Sequence, residues 1–291
     1  MTTAAEARSG KTHRDENFPV ASWLLSKAHR GPILAFYRFV RAADDVADHP
    51  TLPASEKLAL LDQLDAALTG KGPPDPEAEP LRRALREHGL TSRHALDLLD
   101  AFRQDCRKSR YANWSELMSY CALSAAPVGR FVLDVHGEDE ALWPGSDAVC
   151  SALQIINHLQ DCAKDFRNLD RVYLPEDTLA ARGATIPMLS ETAAPPALRA
   201  ALAEIARRAG DLLAEGEPLI GRIRDLRLGA EIAAIHALAR HLALRLETRD
   251  PLSERVHLGK PGLALIGGFG ALRYLASAFL RPAGPRSRVS A

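Results

Sequence analysis

The feature that most limits what this chain can fold into is a polar stripe on an otherwise apolar helix. Residues 154–175 read QIINHLQDCAKDFRNLDRVYLP. At 3.6 residues per turn, Gln154, Asn157, Asp161 and Asp165 fall on one face by steps of three and four. An earlier segment, RAADDVAD at residues 41–48, repeats the device. There Asp44 and Asp48 share a face, Asp45 stands beside them, and Arg41 lies one turn before.

Either aspartate pair alone is equally at home on a solvated helix face. Their recurrence beside Gln, Asn and Arg at fixed offsets is harder to place in water, because LAFYRFV leads into the first row and SALQII into the second. Two such rows are expected to face each other inside a bundle. Carboxylates buried together need cations or must accept raised pKa values. Oxygen donors without a Cys or His pair point to Mg²⁺, which binds through one or two carboxylates plus substrate phosphates. Arg41 and Arg171 offer planar donors that would complete a diphosphate clamp. The chemistry this implies is departure of a diphosphate, with the metal as Lewis acid on the leaving oxygens.

Helix formers dominate elsewhere, and no sustained period-two segments bounded by hairpin turns occur, so the expected fold is an all-α bundle with its site between helices. At 291 residues and 46% hydrophobic content, one large domain is preferred to two small ones. It is expected over residues 16–280, with a flexible N-terminus at 1–15 and a flexible tail at 281–291. Thirty-seven Lys and Arg balance 37 Asp and Glu, which argues against a nucleic-acid surface and leaves any attraction of a diphosphate to local charge. Cys106, Cys121, Cys150 and Cys162 show no CxxC spacing, and no signal peptide is visible, so reduced thiols in a cytoplasmic protein are expected.

YRFVRAADDVAD together with QIINHLQDCAKDFRNLDRVYLP resembles the squalene and phytoene synthase family of head-to-head prenyl synthases. The resemblance covers nearly the whole chain. It implies an isoprenoid synthase fold, a single helical domain around a central apolar cavity. The family pattern is matched by Arg41 three residues before the first aspartates, by Gln154, Asn157 and Asp161 in the second row, and by Arg171 and Tyr173 in its Arg-x-Tyr-Leu-Pro ending. The resemblance makes Asp44, Asp45, Asp48, Asn157, Asp161 and Asp165 the metal set. Tyr37, Arg41, Gln154, Arg171 and Tyr173 fall to the substrate. Asn17-Phe18 stands where many members carry Ser-Phe over the substrate diphosphate, and the Asn implies a different substrate or intermediate from theirs. ENFPVASWLL and YCALSAAPVG look most like the members that convert presqualene diphosphate to hydroxysqualene in bacterial hopanoid synthesis. Condensation of two prenyl diphosphates is the rival activity, and a catalytically silent assembly protein the rival class.

Smaller signals complete the reading. Pro32 is expected to open the helix carrying Tyr37 and Arg41, leaving His29 as a cap or surface residue. The proline-rich stretch at residues 70–80 reads as a surface loop. Gln104, Asp105, Arg107 and Lys108 read as a solvated face near the site. The small residues and Pro127 of YCALSAAPVG either open space or let helices pack closely; the family resemblance makes them a cavity wall, with the Tyr120 ring facing a carbocation. His236 and His241 read as satisfied core or surface histidines. GGFG at residues 267–270 lies in a helical pattern and is no dinucleotide fingerprint. The surrounding LALIGGFGALRYLASAFL nears the length of a membrane span, but its Arg273 and glycines favour a cavity-closing helix or a peripheral membrane contact for an enzyme with an apolar product.

Overall fold

Helix α1 (Lys27–Ala47) starts where Ser26 accepts a hydrogen bond from the His29 backbone N–H at 3.4 Å. The computed structural model describes Ala4 and residues 26–280. Apart from Ala4, both chain ends expected to be loose lie outside these, as do Asn17 and Phe18. Pro32 lies inside α1 rather than at its start. The serine cap is one reason, since it satisfies orphan donors a turn earlier than a proline start allows. The buried face of Ile33, Phe36 and Phe39 holds the helix through the missing proline N–H.

Helices α2 (Ala54–Thr69), α3 (Glu79–His88) and α4 (Arg93–Asp105) pack around α1. Phe39, Val46, Leu61, Leu64, Leu81 and Leu99 form the heart of this first core. Gly70 ends α2 in the left-handed region at φ 74°, where a side chain would be strained, and Lys71 N–H closes back on Ala66 O at 2.8 Å. The loop that follows leads directly into α3.

Helix α5 (Trp114–Ser124) and helix α6 (Ala126–Val135) are split at Ala125, and Pro127 sits in the first turn of α6, where its missing donor costs nothing. The long helices α7 (Trp143–Leu169), α9 (Pro196–Ile220) and α10 (Leu226–Thr248) build the second core with them, while the short α8 (Glu176–Ala181) covers α9. Helix α7 runs close to both neighbours. A Cβ on Gly129 of α6 would stand 2.6 Å from Cys150 Sγ, and one on Gly216 of α9 would stand 2.8 Å from Gly145 O. Helix α11 (Lys260–Phe279) lies along α10, seated through Gly267, Gly270 and Tyr274. Among the described residues all regular structure is helical, apart from a lone parallel bridge between Tyr111 and Pro175.

That bridge positions the site. Val172 N–H donates to Ser109 O at 2.9 Å and Glu176 N–H to Tyr111 O at 2.9 Å. The chain leaving α7 is thereby laid against the chain leaving α4, with Arg171, Val172 and Leu174 buried between them.

Candidate active site

The two aspartate rows sit on α1 and α7, and Arg171 joins them. It follows the second row, is 7% exposed, and donates to the Asp48 carboxylate of the first row and to Ala47 O at 2.9 Å. On α1, Arg41 pairs with Asp44 at 2.9 Å and with buried Asp45 at 2.8 Å. Asn157 and Asp161 are half-buried along α7, one turn apart.

Positive charge is short along the rows. Burial and then the neighbouring Asp48 push the Asp44 carboxyl up to about 8, against the pull of Arg41. On the facing helix, burial and then Asp161 push Asp165 up to about 7, and Asp48 adds to the effect across the gap. One carboxylate thus acts on members of both rows. Among the described residues, the one group of three acidic, His or Cys side chains with ligand atoms within 4.8 Å of one another lies elsewhere.

Asp105 forms the floor beneath Arg171. It is 8% exposed and accepts the hydroxyls of Tyr120 at 2.7 Å and Tyr173 at 2.9 Å. This corrects the solvated-face reading of the end of α4: the helix turns that carboxylate inward. Burial raises it to about 6, with Arg171 and the two hydroxyls pulling the other way. The tyrosine rings pack together at 5.3 Å, and Tyr173 stacks on His158 at 3.7 Å. Burial drives the His158 imidazole down to about 3, so it stays neutral and accepts from Gln154 Nε2 at 3.1 Å. Tyr120 spends its hydroxyl on Asp105 and its ring on these neighbours rather than on the wall of the apolar cavity.

An apolar cavity of about 260 Å³ adjoins the rows. Phe36, Tyr37 and Val40 of α1 and Val149 and Leu153 of α7 line it, and both helices then continue into Arg41 and Asn157. Val128 and Gly129 of the small-residue segment also line it, so that segment both packs closely on α7 and opens space. Outside the rows, Lys57, Arg107, Lys108 and Arg167 rim a second recess of about 460 Å³ that reaches Asp105 and Arg171. This is local positive charge in a chain with none overall. Lys57 donates to Ala47 O at 2.9 Å.

The apolar cavity lies against both helices that carry the carboxylate rows, and comparison with known proteins identifies the family. Residues 11–261 match the squalene/phytoene synthase family. The chain belongs to this family. Hydroxysqualene synthase from Rhodopseudomonas palustris is 57% identical over 272 residues, 94% of this chain and 93% of that one. Its counterpart from Zymomonas mobilis is 49% identical, covering 92% of each. A squalene synthase from Alicyclobacillus acidocaldarius superposes with a TM-score of 0.69 at 30% identity, over 78% of this chain and 86% of that one. A dehydrosqualene synthase reaches a TM-score of 0.80 over 94% and 96% at 22% identity, a likeness of fold. This squalene/phytoene synthase family member therefore has the all-α fold that its sequence resemblance implies.

Other expectations fall into place around the site. His236 is a satisfied core histidine, bonded to Leu213 O at 2.8 Å. All four cysteines are free thiols, with Cys121 and Cys162 buried. Sequence reading underrated Asp105 and passed over His158 and Lys57. Their signal is weak, a single carboxylate ahead of basic residues and a histidine inside the second motif.

Proposed function

We propose that this chain is a hydroxysqualene synthase: it releases diphosphate from presqualene diphosphate, and water captures the rearranged cation. The reading rests on one conjunction, a 57% identical relative bearing that name and an apolar cavity whose walls run on into both aspartate rows. Presqualene diphosphate and water give hydroxysqualene and diphosphate, with the water's spare proton leaving alongside, so no reductant is consumed.

The donors of Asp44, Asp45, Asp48, Asp161, Asp165 and Asn157 are all oxygens, a set suited to Mg²⁺. The raised Asp44 and Asp165 carboxyls are the groups a dication would relieve. When bound, Mg²⁺ would offset the diphosphate charge and act as a Lewis acid on the leaving oxygens. Arg41 and Arg171 pair with the first row and would offer guanidinium edges to the diphosphate. Gln154 takes its place through neutral His158, and Tyr120 and Tyr173 through Asp105. Tyr37, on the cavity wall one turn before Arg41, sets an aromatic face beside the carbon that becomes cationic. The apolar walls offer that cation few nucleophiles, which leaves the choice of quencher to admitted water. Asn17 and Phe18 keep the part given by resemblance, covering the diphosphate.

Helix α11 adds a membrane contact to this reading. It is 20 residues long and apolar enough to cross a membrane, yet one face is committed to α10. Its other face exposes Leu265 at 75%, Phe269 at 68% and Leu272 at 67%. A helix held sideways in this manner lies in a lipid surface rather than spanning it, and a membrane is where an apolar product would be delivered.

The test is incubation of purified protein and Mg²⁺ with presqualene diphosphate, or with farnesyl diphosphate alone, in water enriched in ¹⁸O, followed by mass spectrometry. Labelled hydroxysqualene from the first substrate and no product from the second is the expected result. Product from farnesyl diphosphate alone would replace this reading with condensation.

A further inference from the structure

At the end of the cavity away from the aspartates, three helix ends bring together two histidines and a carboxylate. His29 lies near the start of α1, His136 caps the end of α6, and Asp225 caps the start of α10. One ligand atom from each lies within 4.8 Å of the other two. The imidazole rings are 4.1 Å apart, and His29 Nδ1 is 3.9 Å from Asp225 Oδ2.

What distinguishes this cluster from a chance meeting is how its other atoms are used. His136 Nδ1 faces Val132 O at 2.8 Å, which makes Nδ1 the protonated nitrogen and leaves Nε2 with a free lone pair. Asp225 Oδ1 accepts from the Arg227 and Leu228 N–H groups at 2.8 and 3.2 Å, so Oδ2 is the oxygen left over. His29 Nδ1 and His136 Nε2 are both buried atoms without a hydrogen-bond partner. Glu138 fixes the approach to α10 by accepting from the Asp225 N–H at 2.9 Å and the Arg224 N–H at 3.0 Å. Each ligand is thus oriented by a hydrogen bond behind it, or left bare in front, which is how metal-binding histidines and carboxylates are prepared.

We propose that His29, His136 and Asp225 form a second metal site, distinct from the aspartate rows, for a divalent transition metal of the zinc class. Two imidazoles and one carboxylate are the nitrogen-rich set that selects zinc over magnesium, with solvent in the fourth position. Around tetrahedral zinc the ligand atoms stand about 3.3 Å apart, so the side chains close in slightly on binding. His29 and Asp225 keep 29% and 27% of their side-chain surface accessible, which leaves an entry path. The site ties α1, α6 and α10 together at the far end of the apolar cavity. Ile33, Val132 and Leu228 line that cavity within a turn of the three ligands. A bound ion would fix the spacing of the three helix ends there. The proposal is independent of which prenyl substrate the protein takes.

The full-length protein, stripped with EDTA, is titrated calorimetrically with Zn²⁺ alone and with Mg²⁺ alone, and Co²⁺ serves as a spectroscopic probe. One Zn²⁺ bound per chain, visible absorption from tetrahedral Co²⁺ and a zinc-dependent rise in melting temperature are expected. His29→Ala and His136→Ala should each weaken Zn²⁺ binding at least about tenfold. Asp225→Asn keeps the helix cap and should weaken binding in the same direction. Asp161→Asn should leave Zn²⁺ affinity unchanged. If His136→Ala fails to fold, His29→Ala decides, because its ring nitrogen has no hydrogen bond to lose. No Zn²⁺ binding by the wild type, or binding that survives in His29→Ala or is lost in Asp161→Asn, overturns the proposal.

Discussion

Arg171 donates to the carboxylate of Asp48, 123 residues earlier in the chain, and this ion pair ties the end of the second motif to the first. Arg171 is 7% exposed and Asp48 is open on one side, its side chain 42% exposed. Removing one partner of a fully buried pair costs about 3–5 kcal/mol because the other is left uncompensated. Solvent at Asp48 discounts that figure, so Arg171→Ala is expected to lose about 2–3 kcal/mol in urea denaturation. Arg171→Lys keeps the charge but lacks the fork that reaches both Asp48 and Ala47, so it should recover part of the stability and little activity. A lysine variant with full activity would show that the fork is not what the recess needs.

The carboxyls of Asp44, Asp165 and Asp105 stand at about 8, 7 and 6, all above the ordinary aspartate value of 3.8. The folded chain therefore binds more protons than the unfolded chain between about pH 4 and pH 8, and stability falls as pH rises through that window. Melting curves of metal-free protein should show the loss. Mg²⁺ should restore more at pH 8 than at pH 6, because only there are all three groups asked to ionise. Asp44→Asn should raise the metal-free melting temperature at pH 8, by about 2–4 °C for each kcal/mol relieved, and abolish diphosphate release. A melting temperature that climbs from pH 6 to pH 8 without metal would contradict the crowding of these carboxyls.

Asp105 is held by two hydroxyls on elements that are distant in sequence. Tyr120→Phe and Tyr173→Phe each delete a hydrogen bond to a buried carboxyl, worth about 1.5–3 kcal/mol when the acceptor is charged. Because both donors lower the Asp105 pKa, each deletion should raise it further and shift the acid limb of the pH–rate profile upward. The double variant should cost less than the sum of the singles, since the hydroxyls share one acceptor. Strict additivity in stability would mean the two bonds are independent.

The aspartate rows were legible because helical periodicity is local: Asp44 and Asp48, or Asp161 and Asp165, are one turn apart whatever the rest of the chain does. The all-α architecture was legible for the same reason. Asp105 was not, because its burial is decided by Tyr120 and Tyr173, 15 and 68 residues away, and a lone carboxylate before basic residues looks solvated. Pro32 misled because a proline's preference for a first turn is weaker than a serine cap backed by a buried face. The meeting of His29, His136 and Asp225 is likewise invisible in sequence, since nothing in their spacing announces that three helix ends converge.

Helix α11 carries the last prediction. Leu265, Phe269 and Leu272 are each at least two-thirds exposed on a helix whose opposite face is fixed to α10. Burying a leucine or phenylalanine side chain contributes about 1.5–3 kcal/mol, so three of them, even partly inserted, should shift the partition between water and lipid at least about tenfold. The triple variant Leu265→Ser, Phe269→Ser, Leu272→Ser should co-sediment with liposomes that much less. Its turnover of substrate presented in detergent should stay unchanged, because none of the three lines the apolar cavity. Equal sedimentation of variant and wild type would mean that this face meets something other than lipid. Loss of turnover in detergent would mean instead that α11 closes the active site.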